Sequence, residues 1–471
     1  MIEPETLPSS RTADQDRDES GRPTARLSWG RLLAVTAYWL AITVLWGAFT
    51  FSVIPVLVQS PGVLGDPAHP LTGLYVGIIT TAGVLIAIVV QPTMGAISDH
   101  TRSRLGRRKP YIIVGTALDV IFLAFAAWAF SNENYWAFVA AVVLLQFSSN
   151  FAQGPYQGYV PDLVPSKQVG VASGLLGAAN ILGNLLGPGI AIVFLALLPE
   201  MLGMPEIRLG LFAAIAVIEV VTMLITVVYV PDRSAPPTQR SLRSRALAAW
   251  GTDILAHRDF VWVMISRLLV LSGLVTVQAF AVLYLQNTQG MTQDEALSSS
   301  FPVLVVLLLA ALLSAVPGAR ISNRVGRKPV LYVAIALGAL GGVALAAAPA
   351  YWMVMAAAVP IGICSGVFLG VDWALMTDIV PKAESGRYMG ISNIAVAGAG
   401  PIGATVGGLV SVVVALFVAD RLTAANLGYR AIFAVMALEL VLGALALIRV
   451  REPIRGGHPV AAPAGNSASS A

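Results

Sequence analysis

The chain has 471 residues, 57% hydrophobic and only 11% charged, where a soluble globular protein carries about a quarter charged residues. That excludes an ordinary soluble enzyme and a disordered chain, and a net charge of +4 is too small for a nucleic-acid footprint. One cysteine, Cys364, and four histidines without a His-x-x-x-His pair leave no disulfide framework and no visible metal site, so the class that remains is a polytopic helical membrane protein.

Residues 1–29 are polar, with acids between Glu3 and Glu19 and no apolar run, and read as a disordered cytosolic tail, not a signal peptide. A membrane helix needs about 20 mostly apolar residues. Twelve such runs follow, at 31–59, 73–98, 110–130, 135–163, 169–198, 208–230, 260–286, 297–318, 329–348, 351–379, 387–418 and 428–449. They do not alternate as barrel strands would. The expected domains are a six-helix bundle over 30–230, a central cytosolic loop over 231–258, a second bundle over 259–450 and a disordered tail over 451–471.

Helix 1 places Trp39, Thr43, Trp46 and Thr50 on one face. Trp46 is a candidate for stacking on a sugar, whereas Trp39 fits an interfacial anchor better. Helix 2 ends in Gly95-Ala-Ile-Ser-Asp99 and runs into a loop holding Arg102, Arg104, Gly106, Arg107, Arg108 and Lys109. Gly95 permits close helix packing, and Asp99 can pair with the arginines or meet another helix's N-terminus. This set reads as a latch between conformational states. A carboxylate inside a membrane helix costs about 3 kcal/mol, so it faces protein or water. Asp119 in helix 3, Asp162 at the end of helix 4 and Asp372 in helix 10 are therefore proton-coupling candidates. Glu219, Asp378 and Glu439 read as structural or as ends of basic loops.

Helix 4 carries Gln146, Asn150, Gln153 and Gln157 on one face. Carboxamides offer donors and acceptors together, as a polyhydroxyl ligand requires, though they also serve as interhelical glue. Pro155 and Pro161 break the backbone ladder there, as expected where a helix lines a cavity. Helix 5 adds Ser173, Asn180 and Asn184, with Gly183 and Gly187 as a packing pair. In helix 7, Gln278 is a cavity candidate and Arg267 reads as a snorkelling cation. The expected substrate-binding set is Trp46, Asn150, Gln153, Gln157, Asn180, Asn184 and Gln278.

Lysines and arginines crowd the N-terminal tail, the loops after helices 2, 4, 8 and 10, the central loop and the C-terminus. The opposite side has Arg208, Arg421 and Arg430. By the positive-inside rule both termini face the cytosol of a cell-membrane protein. Asp162-Leu-Val-Pro165 followed by Gly170 recurs as Asp378-Ile-Val-Pro381 followed by Gly386, and Arg108-Lys109-Pro110 recurs as Arg327-Lys328-Pro329. The expected fold is therefore all-α, with twelve transmembrane helices in two six-helix pseudo-repeats.

The duplication and the Gly95-x-x-x-Asp99 loop resemble the major facilitator superfamily. The form Ser98-Asp99-x-x-x-Ser103-Arg104-x-Gly106-Arg107-Arg108-Lys109-Pro110 resembles its glycoside–pentoside–hexuronide cation symporters, and within them the sucrose:proton branch. Gln153-Gly154-Pro155 followed by Asp162-Leu163, and Gly183-Asn184-x-Leu-Gly187, agree. The resemblance covers helices 2–5 and implies a proton-coupled sugar symporter with Asp162 as the proton-linked carboxylate. The branch's cation before helix 5 is missing at Val169-Gly170-Val171, so the sugar is held differently or is not sucrose. The alternatives are a proton-coupled drug or metabolite exporter of the same fold and, more remotely, a non-transporting membrane sensor. No nucleophile–base pair supports an enzyme. The expected partners are a small-molecule sugar and the lipid bilayer, with no nucleic acid, no cofactor or metal, H+ or else Na+ as coupling ion, and a monomeric state.

Overall fold

A computed structural model describes residues 24–165, 168–232, 257–379 and 385–451. The two tails and the basic residues of the central loop fall largely outside these. So do Lys167 and Lys382, and the side chains of Ser173 and Asp378. Every regular element among the described residues is helical. Twelve helices are long and apolar enough to cross a membrane. They run Trp29–Val58, Thr72–Ser98, Lys109–Ser131, Tyr135–Gln157, Gly174–Leu202, Glu206–Tyr229, Arg258–Gln289, Gln293–Val325, Arg327–Ala347, Tyr351–Met376, Ala395–Phe417 and Arg421–Ile448. They are helices 1 to 12 below.

Two helices start four or more residues earlier than hydropathy predicts, because capping side chains set the ends. Thr292 and Glu295 close a reciprocal capping box that starts helix 8 at Gln293. Asp420 accepts from the Thr423 N–H and starts helix 12 at Arg421. Helix 4 breaks at Gly158, as its prolines predict, and a short turn Tyr159–Leu163 follows. Helix 1 loosens differently. Pro55 has no N–H for the Phe51 carbonyl, and the ladder widens into a π turn over Phe49–Val53.

Each half repeats one packing scheme. Helix 1 lies on helices 5 and 6, and helix 4 on helices 2 and 3. Helix 7 likewise lies on 11 and 12, and helix 10 on 8 and 9. Small residues make the first contact possible. A Cβ on Gly183 or Gly187 would collide with Thr43 or the Val44 carbonyl, and one on Gly403 would lie 2.5 Å from the Ser272 carbonyl.

The two halves meet toward the face opposite the basic loops. Gly73 and Gly77 of helix 2 press on Gly408 and Thr405 of helix 11; a Cβ at Gly77 would stand 3.0 Å from Thr405 Cα. Thr81 and Thr405 share a hydrogen bond of 2.7 Å between hydroxyls. Phe301 of helix 8 approaches Gly189 of helix 5. Toward the basic face, Gly174 and Gly177 of helix 5 have nothing within 4 Å of a Cβ position.

Candidate functional site

Between the halves lies a cleft of about 470 Å³, counting space open to solvent. Helix 1 contributes Trp46, Thr50 and Ile54, helix 2 Thr80 and Val84, and helix 4 Val142 and Gln146. The second half contributes Val275 and Ala279 from helix 7 and Gly400, Pro401 and Ala404 from helix 11. The wall is mainly apolar with four polar side chains, all from the first half. Thr50 lines it from within the π turn.

The amide row of helix 4 divides along its length. Gln146 lines the cavity. Asn150 is buried below it and donates to the Gln146 carbonyl at 2.7 Å and to Gln146 Oε1 at 2.9 Å. That bond fixes the orientation of the Gln146 amide, whose NH₂ and remaining Oε1 lone pair stay available to a ligand. Gln153 and Gln157 are half-buried further toward the basic face. Asn184 donates to the Asn180 carbonyl and side chain, an internal pair on helix 5. Asn180, Asn184 and Gln278 are not among the residues lining this cavity. Of the expected binding set, the structure brings Trp46 to the cavity wall and Asn150 directly behind it. Thr80 is the polar lining residue with no signal in the sequence, since the Thr80-Thr81 pair in an apolar run belongs to no pattern.

The basic loop forms a compact network with Arg108 at its centre. Its Nε and Nη2 meet Asp162 Oδ2 at 2.7 and 2.6 Å, Nη2 meets Asp99 Oδ1 at 2.8 Å, and Nη1 donates to the Pro155 carbonyl at 2.8 Å. Arg107 reaches the same Asp162 oxygen at 2.5 Å. The guanidinium occupies the break in helix 4, where a Cβ on Gly158 would overlap it. Asp232, just past helix 6, accepts from the Arg108 and Lys109 N–H groups and so caps helix 3. Gly106 turns at φ +106° beside that carboxylate, leaving no room for a side chain. Arg104 is exposed. A Cβ on Gly95 would stand 3.5 Å from the Gly154 carbonyl. Asp162 thus stands past the end of helix 4, paired with arginines at the basic face and away from the cavity.

Of the embedded acids, Asp119 and Glu219 are neighbours in the first half, and Asp372 and Glu439 lie in the second. Asp119 is fully buried, and Ser148 Oγ donates to it at 2.5 Å. Tyr38 and Thr116 share a 2.8 Å hydrogen bond nearby, and Glu219 feels the Asp119 charge. Asp372 of helix 10 faces Arg267 of helix 7 at 3.3 Å, with both side chains 5% exposed. The Arg267 guanidinium also lies 5.2 Å from the centre of the Trp373 ring. Arg267 therefore does not snorkel: an ion pair across two helices holds it inside. Trp39 is half-buried and stacks on Tyr156 with ring centres 6.4 Å apart. Glu439 accepts from Ser272 Oγ at 3.3 Å, a scaffold contact between helices 12 and 7.

The family model described as Major Facilitator Superfamily matches residues 27–404 and, in a second alignment, 303–470. The chain belongs to the major facilitator superfamily. Family and fold are those of membrane transporters and not of enzymes. Relatives within the superfamily differ in the reach of their similarity. A general alpha-glucoside permease of Schizosaccharomyces pombe is 31% identical over 35% of this chain and 32% of its own length. The sucrose transport protein SUC4 of Arabidopsis thaliana is 30% identical over 35% and 34%. The chain thus matches about a third of the length of these two relatives. The multidrug resistance protein MdtG of Enterobacter lignolyticus is 21% identical over 89% of this chain and 92% of its own. The nucleoside transporter NupG superposes with a TM-score of 0.67 at 14% identity, covering 89% of this chain and 99% of that one. A bacterial homologue of the lysosomal transporter Spinster gives 0.66 at 15%, covering 89% and 97%. Both share the twelve-helix fold.

Proposed function

We propose that this transporter carries a sugar of the glycoside or disaccharide class together with a proton, by alternating access. The observation that carries the reading is the Gln146–Asn150 amide pair at the cavity between the halves. Asn150 orients the Gln146 amide, Thr50 and Thr80 add hydroxyls, and Trp46 offers an indole face. Hydroxyl-binding groups beside an aromatic plane suit a sugar, whose edge is polar and whose ring face is not. The partial similarity to an alpha-glucoside permease and a sucrose transporter points the same way. With the basic face in the cytosol, the sealed face is external and the halves stand in the inward-facing arrangement.

The coupling carboxylate in this reading is Asp372. It is embedded and opposed to a cation on another helix, so proton uptake would free Arg267 and let helices 7 and 10 shift. Asp162, the acid implied by resemblance, belongs to the latch, and Asp119 to the scaffold of the first half. One proton at about 150 mV supplies about 3.5 kcal/mol, enough for a roughly 300-fold sugar gradient.

A second reading is supported by the nearly full-length similarity to MdtG and by the apolar second-half wall of the cavity. It is a proton-coupled exporter of apolar compounds. Proteoliposomes loaded with a panel of radiolabelled sugars, or with a fluorescent cationic dye, under imposed pH or Na+ gradients separate the two. Sugar accumulation driven by the pH gradient, lost in Asp372→Asn and kept as exchange, is the expected result. Dye extrusion without sugar uptake would transfer the assignment to the exporter, and accumulation driven only by Na+ would change the coupling ion.

A further inference from the structure

The loop between helices 1 and 2 belongs to the first half but reaches onto the second. Asp66 uses both carboxylate oxygens there. Oδ1 accepts from the Ala68 N–H at 2.8 Å, which forms the turn, and Oδ2 pairs at 2.6 Å with Arg421, the first residue of helix 12. Asn287, at the end of helix 7, donates to the Pro67 carbonyl at 3.1 Å, and Asn426 of helix 12 donates to the Asn287 carbonyl at 3.0 Å. One short turn is thereby tied to two helices of the other half, at the mouth of the sealed face.

His69 sits in the same turn. Its Nδ1 accepts from the Leu71 N–H at 3.2 Å, and its carbonyl accepts from the Thr72 N–H. The charges acting on its ring are Arg421 and Asp66. Asp420, beside Arg421, is occupied by the Thr423 N–H and hydroxyl. The sealed arrangement needs a neutral imidazole, because Nδ1 must accept. A proton there turns the acceptor into a donor facing an N–H. It also sets a second cation beside Arg421 in competition for Asp66.

We propose that this turn is an acid-sensitive lock: the Asp66–Arg421 pair fastens the two halves, and protonation of His69 loosens it, so acid at this face favours opening there. Burial, and then the Arg421 charge, lower the His69 pKa in the sealed state. In the open state the ring is solvated and regains its ordinary value near 6.5. The sealed state is therefore favoured above that value and loses ground as pH falls below it. On the proposed reading as a proton-driven importer, the acidic side of the membrane would promote the state that takes up cargo. The lock itself requires no particular cargo.

The test reads geometry and not transport. Spin labels at Pro61→Cys and Leu422→Cys, on a Cys364→Ser background, report the distance between loop and helix 12 at pH 7.5 and 5.0. A partly exposed ion pair shifts such an equilibrium roughly two- to fivefold. The open fraction should rise by that factor on acidification. His69→Gln should abolish the rise. Asp66→Asn and Arg421→Gln should open the mouth at both pH values, and the exchange Asp66→Arg with Arg421→Asp should restore closure at pH 7.5. An unchanged acid response in His69→Gln would overturn the sensor. An exchange variant no more closed than either single variant would overturn the lock. Neither result depends on whether sugar or drug is the cargo.

Discussion

Arg108 is held by two carboxylates, a carbonyl and a helix cap, and its guanidinium fits only because position 158 has no side chain. A lysine has the charge but not the planar fork. Arg108→Lys should therefore lower stability by about 3 kcal/mol, since it leaves buried acceptors unmatched. Gly158→Ala should do nearly the same by expelling the guanidinium. The double variant should be hardly worse than either single one, because both remove the same set of contacts. Thermal unfolding in detergent checks this, and additive losses would separate Gly158 from the arginine. Asp99 is different: it is 47% exposed and takes one bond from Arg108. Asp99→Asn should leave the fold intact and slow turnover while equilibrium affinity stays unchanged. A variant with weakened binding and normal turnover would remove Asp99 from the latch.

At the scale of the helix, the amide row of helix 4 has one member facing the cavity and another that orients it. On the proposed sugar reading, Gln146→Ala should weaken ligand binding by about 1–3 kcal/mol, or roughly 5- to 150-fold. Asn150→Ala should cost less, near the lower end, because the contact to the ligand survives in altered orientation. Calorimetry of sugar binding to purified protein orders the two. If Asn150→Ala proves the worse, Asn150 touches the ligand itself. Several of these features were legible in the sequence: the twelve spans, the break announced by Pro155, the one-faced row of amides, and the pairing of Asp99 with the arginines. These depend on period, ring chemistry or close spacing. The second-half wall of the cavity was not legible, nor were Thr80, Asp232 as the cap of helix 3, or Arg267 as the partner of Asp372. Each depends on contact between residues far apart in the chain, and nothing local to Pro401 or Asp232 marks what the fold brings beside it. The ends of helices 8 and 12 were missed for a smaller reason, since hydropathy registers apolar length and their capping turns are polar.

Across the whole molecule, the halves close on one face through a row of small residues, Gly73, Gly77 and Thr81 against Gly408, Thr405 and Pro401. Gly77→Leu should hold that face open, because its side chain must enter space occupied by the helix 11 backbone. Labelling of a cysteine at Thr80→Cys by a membrane-impermeant thiol reagent from that face should then rise at least several-fold. Unchanged labelling would mean that the helices yield elsewhere. The same row has an electrical consequence. In a membrane, a joint made by backbones in contact owes little to the hydrophobic effect and holds by close packing and a few hydrogen bonds. It is also the insulation across which the ion gradient stands. A substitution that merely roughens it, such as Gly408→Ser, should do more than slow a carrier. It should make the protein leaky, dissipating a proton gradient in sealed vesicles without any cargo present.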